Sequence, residues 1–171
     1  MTGASPTNPF QILGLREHME LAADEIERAA LVRSAQLQPA IGSGDVEAEA
    51  SLAAVNDARR VLANPETRAT ALLLLRGGPA ASADKSLPPG FLMEMMEIRE
   101  GIDEVAQSRD EQGLRKWRAW AGEQRAAYAH RVAELFRRPV STESSAAIRR
   151  ELNAWRYIER LIEQLDGGGA M

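Results

Sequence analysis

The sequence predicts an all-α protein in two parts, and three observations lead to this prediction. No stretch alternates apolar and polar residues with the period of two that is typical of strands. Apolar residues instead recur at every third or fourth position in one segment after another, as they do in amphipathic helices. A stretch rich in glycine and proline, residues 77–90, divides the chain and predicts a linker.

Four helices are predicted before the linker. Asn8 is placed as an N-cap with Pro9 at the first helical position, and Gly14 ends this short helix. After the second helix we expect a loop that contains Pro39 and the run of residues 42–44. The second, third and fourth predicted helices cover residues 22–37, 46–63 and 65–76.

Three longer amphipathic helices follow, and their short connections predict an antiparallel three-helix bundle. They are predicted over residues 91–107, over 110–136, and from a cap at Ser144 or Ser145 to about residue 165. The predicted layout is an N-terminal domain at 1–79, a linker at 80–90, the bundle at 91–166 and a disordered tail at 167–171.

The first bundle helix carries two apolar surfaces. At about 100° per residue, a stripe typical of a core-facing helix runs along one side. Other apolar residues lie away from that stripe, and carboxylates share their sector. The stripe consists of Phe91, Met95, Ile98, Ile102 and Val105. The second surface consists of Leu92, Met93 and Met96, and the carboxylates in its sector belong to Glu97, Glu100 and Glu104.

A methionine-rich apolar patch outside the core is typical of a protein-binding surface. The alternative is that the helix is buried on both sides by a neighbouring domain. Gly101, in the same helix, should weaken it by about 1 kcal/mol relative to alanine. We therefore expect Gly101→Ala to stabilise the bundle, provided that no neighbour packs closely against Gly101.

Composition excludes several classes of function. The chain has no cysteine, which excludes disulfides and thiolate nucleophiles, and its two histidines, His18 and His130, lack companions at ligand spacing. We predict no catalytic residue, no metal site and no cofactor, and therefore no enzyme. A net charge of −4 argues against nucleic-acid binding. Arg115, Lys116, Arg118 and Arg125 are interpreted as a solvated helix face.

We also expect a cytoplasmic protein with no contact to a membrane. No apolar run approaches the roughly 20 residues of a membrane-spanning helix. The first residues show neither a basic region nor an apolar stretch, so no secretion signal is readable.

Several motifs in order resemble the HscB family, the J-domain co-chaperones of iron–sulfur cluster assembly. NPFQILGL at residues 8–15 is similar to the opening helix of the family. Residues 55–77 resemble the run through its third and fourth J-domain helices, and FLMEMMEIREGIDE at 91–104 resembles the start of its C-terminal bundle. The resemblance covers nearly the whole chain, from Asn8 to Leu165.

The resemblance implies a J-domain-like N-terminal domain that contacts an ATP-driven chaperone of the DnaK class. It also implies that the bundle binds the scaffold protein on which the cluster is built and presents it to that chaperone. The scaffold-binding positions implied by the resemblance are Leu92, Met93, Met96, Glu97, Glu100, Glu104 and Tyr157.

The chain departs from the family at the chaperone-binding loop. The family carries His-Pro-Asp there, which is required to stimulate ATP hydrolysis, whereas this chain has Gln38, Pro39 and Ala40. Ala40 offers no carboxylate to pair with an arginine across an interface. The second helix is acidic where the family has a basic face, so charge steering towards the chaperone should be weakened or reversed.

Two functions remain open on the sequence alone. One is a full co-chaperone that binds the scaffold and recruits the chaperone. The other is an adaptor that binds a client protein and has lost the stimulation of the chaperone ATPase. The identity of the client and the oligomeric state are not readable from the sequence.

Overall fold

The computed structural model describes residues 8–167, and every helix or strand in that range is an α-helix. The all-α prediction is therefore confirmed for these residues. The chain divides into two compact units, one ending at Gly78 and one beginning at Pro79. In chain order the helices are α1 (Pro9–Leu13), α2 (Ala23–Gly42), α3 (Val46–Ala63), α4 (Pro65–Leu75), α5 (Phe91–Gln107), α6 (Glu111–Phe136) and α7 (Thr142–Gly167).

The predicted first domain and the predicted tail each extend beyond the described residues. Residues 1–7 of the predicted first domain lie outside the described residues, as do 168–171 of the predicted tail. Gly167, which was predicted to begin that tail, is instead the last residue of α7.

Helix α1 begins and ends as its sequence predicts. The Asn8 side chain accepts hydrogen bonds from the backbone N–H groups of Phe10 (3.0 Å) and Gln11 (3.2 Å). Gly14 follows the helix with a φ of 71°, a left-handed conformation that favours glycine. Phe10 is completely buried, so this short helix is held by the core of the N-terminal unit.

Helix α2 is longer than predicted. It continues through Gln38, Pro39 and Ala40 to Gly42, so the prediction of a loop at these residues is wrong. The φ of proline is compatible with a helix, and its missing N–H removes only one hydrogen bond near the helix end. The Ala40 carbonyl still accepts a bond of 3.1 Å from the N–H of Ser43. The helix therefore ends one turn after the proline.

In the C-terminal unit, α6 and α7 are joined by ion pairs along their length. The sequence numbers of the paired residues add to nearly the same total, as expected for antiparallel helices. Arg115, Lys116, Arg118 and Arg125 are all exposed, as a solvated helix face predicts, and Arg118 and Arg125 also form ion pairs with α7. The pairs are Arg118 with Asp166 (3.7 Å), Arg125 with Glu159 (2.6 Å) and Arg131 with Glu151 (3.0 Å).

One of these pairs is connected to the core. The Nε1–H of Trp155, a residue with no exposed surface, donates to a carboxylate oxygen of Glu159 at 2.8 Å. The same carboxylate accepts two hydrogen bonds from Arg125. These bonds raise the pKa of the Arg125 guanidinium. The shared carboxylate fixes how α6 and α7 lie against each other.

Helix α7 begins earlier than predicted. The hydroxyl of Ser141 accepts from the N–H of Ser144 at 3.0 Å, and the Ser144 hydroxyl accepts from the N–H of Ser141 at 2.9 Å. This reciprocal pair is a capping box. The prediction of a cap at Ser144 or Ser145 is therefore wrong, because Ser141 is the N-cap and Ser144 is the third residue of the helix.

The segment predicted as a linker is attached to α7. The side-chain amide of Asn153 donates to the carbonyls of Asp84 (3.0 Å) and Ser86 (2.9 Å). Arg149 Nε donates to the carbonyl of Pro79 at 2.9 Å. These bonds hold the chain that leads into α5 against the bundle.

Helices α5 and α6 approach closely at two glycines. A Cβ atom on Gly101 would lie 2.7 Å from Cζ2 of Trp117, and one on Gly113 would lie 2.7 Å from Cγ1 of Val105. Neither distance leaves room for a methyl group. The expectation that Gly101→Ala stabilises the bundle is therefore dropped, because its condition of an open neighbourhood is not met.

We predict instead that Gly101→Ala lowers the free energy of unfolding by about 1–2 kcal/mol, since overpacking outweighs the gain in helix propensity. The matched control is Gly122→Ala in α6, where a Cβ would meet no atom within 4 Å. That variant should raise the free energy of unfolding by about 0.5–1 kcal/mol. Urea denaturation of both variants measures the difference, and stabilisation by both would contradict the close approach.

Candidate functional site

Helix α5 turns one face into the bundle. Its buried residues occur at the spacing of a core-facing stripe, and Val105 continues the stripe at partial burial. The core orientation predicted from the sequence is confirmed. The buried residues are Phe91, Met95, Ile98 and Ile102.

The opposite face of α5 places three large apolar side chains in solvent. Leu92 is 55% exposed, Met93 71% and Met96 64%. Among the described residues of the C-terminal unit no helix buries this face, so the second apolar surface is not part of the bundle core. Because Leu92 and Met96 are four residues apart and Met93 and Met96 three apart, the three side chains form one patch on the helix surface. We call these three residues the apolar patch.

Carboxylates extend the apolar patch along α5. Glu97, Glu100 and Glu104 are all exposed, and none of them forms an ion pair with any residue in the range 8–167. Arg99 is the one basic residue of this helix. We call the three glutamates the acidic rim.

Tyr157 brings α7 to the beginning of α5. Its ring meets the ring of Phe91 edge-on, with centroids 5.5 Å apart and planes at 78°. Tyr157 is half-buried, so part of its side chain stays accessible. Phe91 immediately precedes Leu92, and the tyrosine therefore lies beside the start of the apolar patch.

The three residues at the predicted chaperone-binding loop lie in helix α2. Gln38 and Pro39 are exposed and Ala40 is half-buried, all within the last turns of α2 in the N-terminal unit. Farther up the same helix, Leu31 is 69% exposed and Val32 52% exposed. The outer face of α2 is therefore apolar in its middle.

The acidic residues of α2 are partly engaged in ion pairs. Asp24 pairs with Arg28 at 2.8 Å within the helix, and Glu27 pairs with Arg59 of α3 at 2.9 Å. Both basic partners are thus occupied, and α2 presents no array of free cations at these positions.

The described residues contain neither a candidate metal site nor a candidate membrane span. Across residues 8–167, no three histidine, aspartate or glutamate side chains are grouped so that they could hold a metal ion. Within the same residues, no helix is both long enough and apolar enough to span a membrane.

Comparison with known proteins identifies the family. Residues 87–166 match the family described as the HSCB C-terminal oligomerisation domain. A co-chaperone protein HscB homolog from Ralstonia nicotianae is 33% identical over 135 residues, which cover 75% of this chain and 76% of the relative. The chain belongs to the HscB co-chaperone family. A homolog from Burkholderia multivorans is 29% identical over 154 residues and covers 85% of this chain and 86% of its own length.

Solved HscB structures share the fold. Chaperone HscB from Vibrio cholerae superposes with a TM-score of 0.77 at 22% identity, covering 94% of this chain and 96% of that protein. Human co-chaperone protein HscB gives a TM-score of 0.82 at 17% identity, covering 98% and 85%. The predicted architecture of a J-domain-like unit followed by a C-terminal helical bundle is confirmed. These HscB relatives are co-chaperones rather than enzymes.

Truncating a side chain should affect the free energy of unfolding strongly on the inner face of α5 and only weakly on its outer face. We predict that Ile102→Ala, which empties a buried position, lowers the free energy of unfolding by roughly 2–4 kcal/mol. Leu92→Ala, on the outer face of the same helix, should change it by no more than about 0.5 kcal/mol. Equilibrium unfolding followed by circular dichroism measures both values, and a large loss for Leu92→Ala would show that the apolar patch is part of a core.

Proposed function

We propose that this HscB-family protein binds an iron–sulfur cluster scaffold protein through the outer face of α5 and acts as a non-catalytic co-chaperone in cluster assembly. The observation that supports this most strongly is the exposure of Leu92, Met93 and Met96 on a helix whose opposite face is core. Soluble domains seldom leave such a group of large apolar side chains in water without a partner. The apolar patch also coincides with the scaffold-binding positions that the family resemblance implies.

The size of the apolar patch indicates what else the interface requires. Complete burial of a leucine or methionine side chain contributes roughly 1.5–3 kcal/mol, and these three are already partly covered. Association costs about 4–15 kcal/mol in lost freedom of motion. The apolar patch alone therefore supports only weak binding, and we assign further contacts to Tyr157 and to the acidic rim.

The acidic rim defines the charge of the partner. Glu97, Glu100 and Glu104 form no ion pair within residues 8–167, so they are available to lysine or arginine on the scaffold protein. Unlike charges across an interface mainly accelerate association and exclude wrong partners. Binding should accordingly weaken as salt is added, because exposed charges are screened.

The N-terminal unit allows two versions of this function. In the first, the full co-chaperone, the unit recruits a DnaK-class chaperone to the bound scaffold protein and stimulates its ATPase. In the second, the protein is an adaptor that holds the scaffold protein without that stimulation. The observation that favours the adaptor is that Gln38, Pro39 and Ala40 belong to α2, with neither an imidazole nor a carboxylate to act on the chaperone. A cytoplasmic location stays a prediction in both versions.

We predict that replacing Leu92, Met93 and Met96 together by alanine weakens binding to the scaffold protein by at least a hundredfold, because the centre of the interface is removed. The melting temperature should stay within a few degrees of the parent protein, since no core side chain is lost. Isothermal titration calorimetry and thermal denaturation give the two values.

The control for this variant is Val140→Ala, which truncates another exposed apolar side chain of the C-terminal unit, 63% exposed and outside α5. It should leave the dissociation constant unchanged. Equal binding by the triple variant and the parent protein would overturn the assignment of the site.

A separate prediction concerns the chaperone. The unmodified protein should not accelerate single-turnover ATP hydrolysis by a DnaK-class chaperone, since Ala40 has no carboxylate and Gln38 no imidazole. The double variant Gln38→His with Ala40→Asp should recover only part of the stimulation, because it restores the imidazole and the carboxylate but leaves α2 acidic.

A family member with an intact His-Pro-Asp motif, measured with the same chaperone, provides the reference. If the unmodified protein stimulates hydrolysis as strongly as that reference, the adaptor version is wrong and the full co-chaperone version stands.

A further inference from the structure

Two tryptophans of α6 lie next to α5. Trp117 packs against Gly101 in α5, where its ring occupies the place that a side chain would take. Trp120 packs on Trp117 edge-on, with ring centroids 5.6 Å apart and planes at 85°. Neither tryptophan is fully buried, in contrast to Trp155 in the core. Trp117 thus contacts α5 directly, and Trp120 packs on Trp117 with part of its ring exposed.

The register of the two helices places Trp120 level with the start of the acidic rim along α5. Gly101 meets Trp117 and Val105 meets Gly113, and both pairs of sequence numbers add to 218. On the same register, Trp120 lies level with position 98, which directly follows Glu97 of the acidic rim. Trp120 therefore flanks α5 on its α6 side.

The indole N–H of Trp120 is available for a partner. Trp155 donates its N–H to Glu159, whereas Trp120 donates to no acceptor within residues 8–167 and is not among the buried polar groups that lack a partner. A partly exposed tryptophan with a free donor combines apolar area with hydrogen-bonding capacity. Tryptophan is among the residues most enriched at the energetic centres of protein interfaces.

We infer that Trp120 is a further docking residue for the scaffold protein, and that its ring receives a lysine or arginine side chain next to Glu97. This inference rests on the proposed function and extends the docking surface from α5 onto α6. A cation over an indole face is attracted by the ring quadrupole, and tryptophan is the best of the aromatic residues for this contact. The neighbouring carboxylate of the acidic rim adds attraction for the same cation.

Helix α6 already contains a contact of this kind. The guanidinium carbon of Arg131 lies 4.1 Å from the centroid of the Tyr128 ring. In that pair the cation is supplied by the chain itself, whereas Trp120 has no such cation over its ring among the described residues. The scaffold protein would supply it.

The test observes Trp120 directly in the complex. The chain has three tryptophans, so a ¹⁵N–¹H spectrum of the full-length protein contains three indole signals, which Trp→Phe variants assign. On titration with the cluster-free scaffold protein encoded in the same genome, we expect the Trp120 signal to shift or broaden. The Trp155 signal should stay in place, because that indole is buried and bonded to Glu159.

Substitution measures how much the contact contributes. Trp120→Ala and Trp120→Leu should each weaken binding about tenfold or more, and Trp120→Phe, which keeps a ring, by less. Val140→Ala again serves as the control with unchanged binding. A melting temperature within a few degrees of the parent protein, together with an unchanged Trp155 signal, shows that the bundle of the free Trp120 variants is intact.

The possible outcomes separate the two proposals. If the unmodified protein binds the scaffold protein while the Trp120 signal and the affinity of Trp120→Ala stay unchanged, the inference about Trp120 is wrong and the proposed function stands. If the unmodified protein does not bind the scaffold protein at all, the proposed function fails and the inference fails with it.

Discussion

The close approach of α5 to α6 is the constraint on which the rest of the bundle depends. Gly101 lets the Trp117 ring reach the α5 backbone. Gly113 in turn lets the Val105 side chain reach the α6 backbone. These two contacts set the rotation of α5 about its axis, because turning the helix would move a side chain into a space that only glycine leaves open. The rotation then decides which apolar residues are core and which are exposed. Met95 lies inside and Met96 outside as a result.

The two units contribute differently to this account. The bundle is fixed by the ion pairs between α6 and α7 and by the bonds that fasten the segment before α5, so its outer surface is held in one arrangement. The N-terminal unit keeps the capped α1 helix and its buried Phe10 while α2 runs through Gln38, Pro39 and Ala40. Its core contains apolar side chains and the buried Arg68, which donates to the carbonyl of Leu21 at 3.0 Å, and no residue at positions 38–40 is buried in it. The fold of this unit therefore does not depend on which side chains occupy positions 38–40.

The sequence predicted the elements that depend on local chemistry. The Asn8-Pro9 pair predicted the start of α1, and the repeat of apolar residues in α5 predicted the buried stripe of that helix. Both predictions succeed because capping and periodicity act within a few residues. Predictions that depended on distant residues were less successful. Local rules predict that α2 ends before Pro39, whereas the helix continues to Gly42, and nothing local reveals that Gly101 receives Trp117 or that Arg125 reaches Glu159. The proposed role of Trp120 is not readable locally for the same reason, since it follows from the register between two helices.

The central claim is that the outer face of α5 is the docking surface, and its methionines test it most directly. With ¹³C-labelled methionine methyl groups, addition of the cluster-free scaffold protein should shift or broaden the signals of Met93 and Met96, which are exposed. The signals of Met95 and Met19, which are buried at 6% exposure each, should move little and provide internal controls. Binding that leaves Met93 and Met96 unchanged would place the docking surface elsewhere and contradict this account.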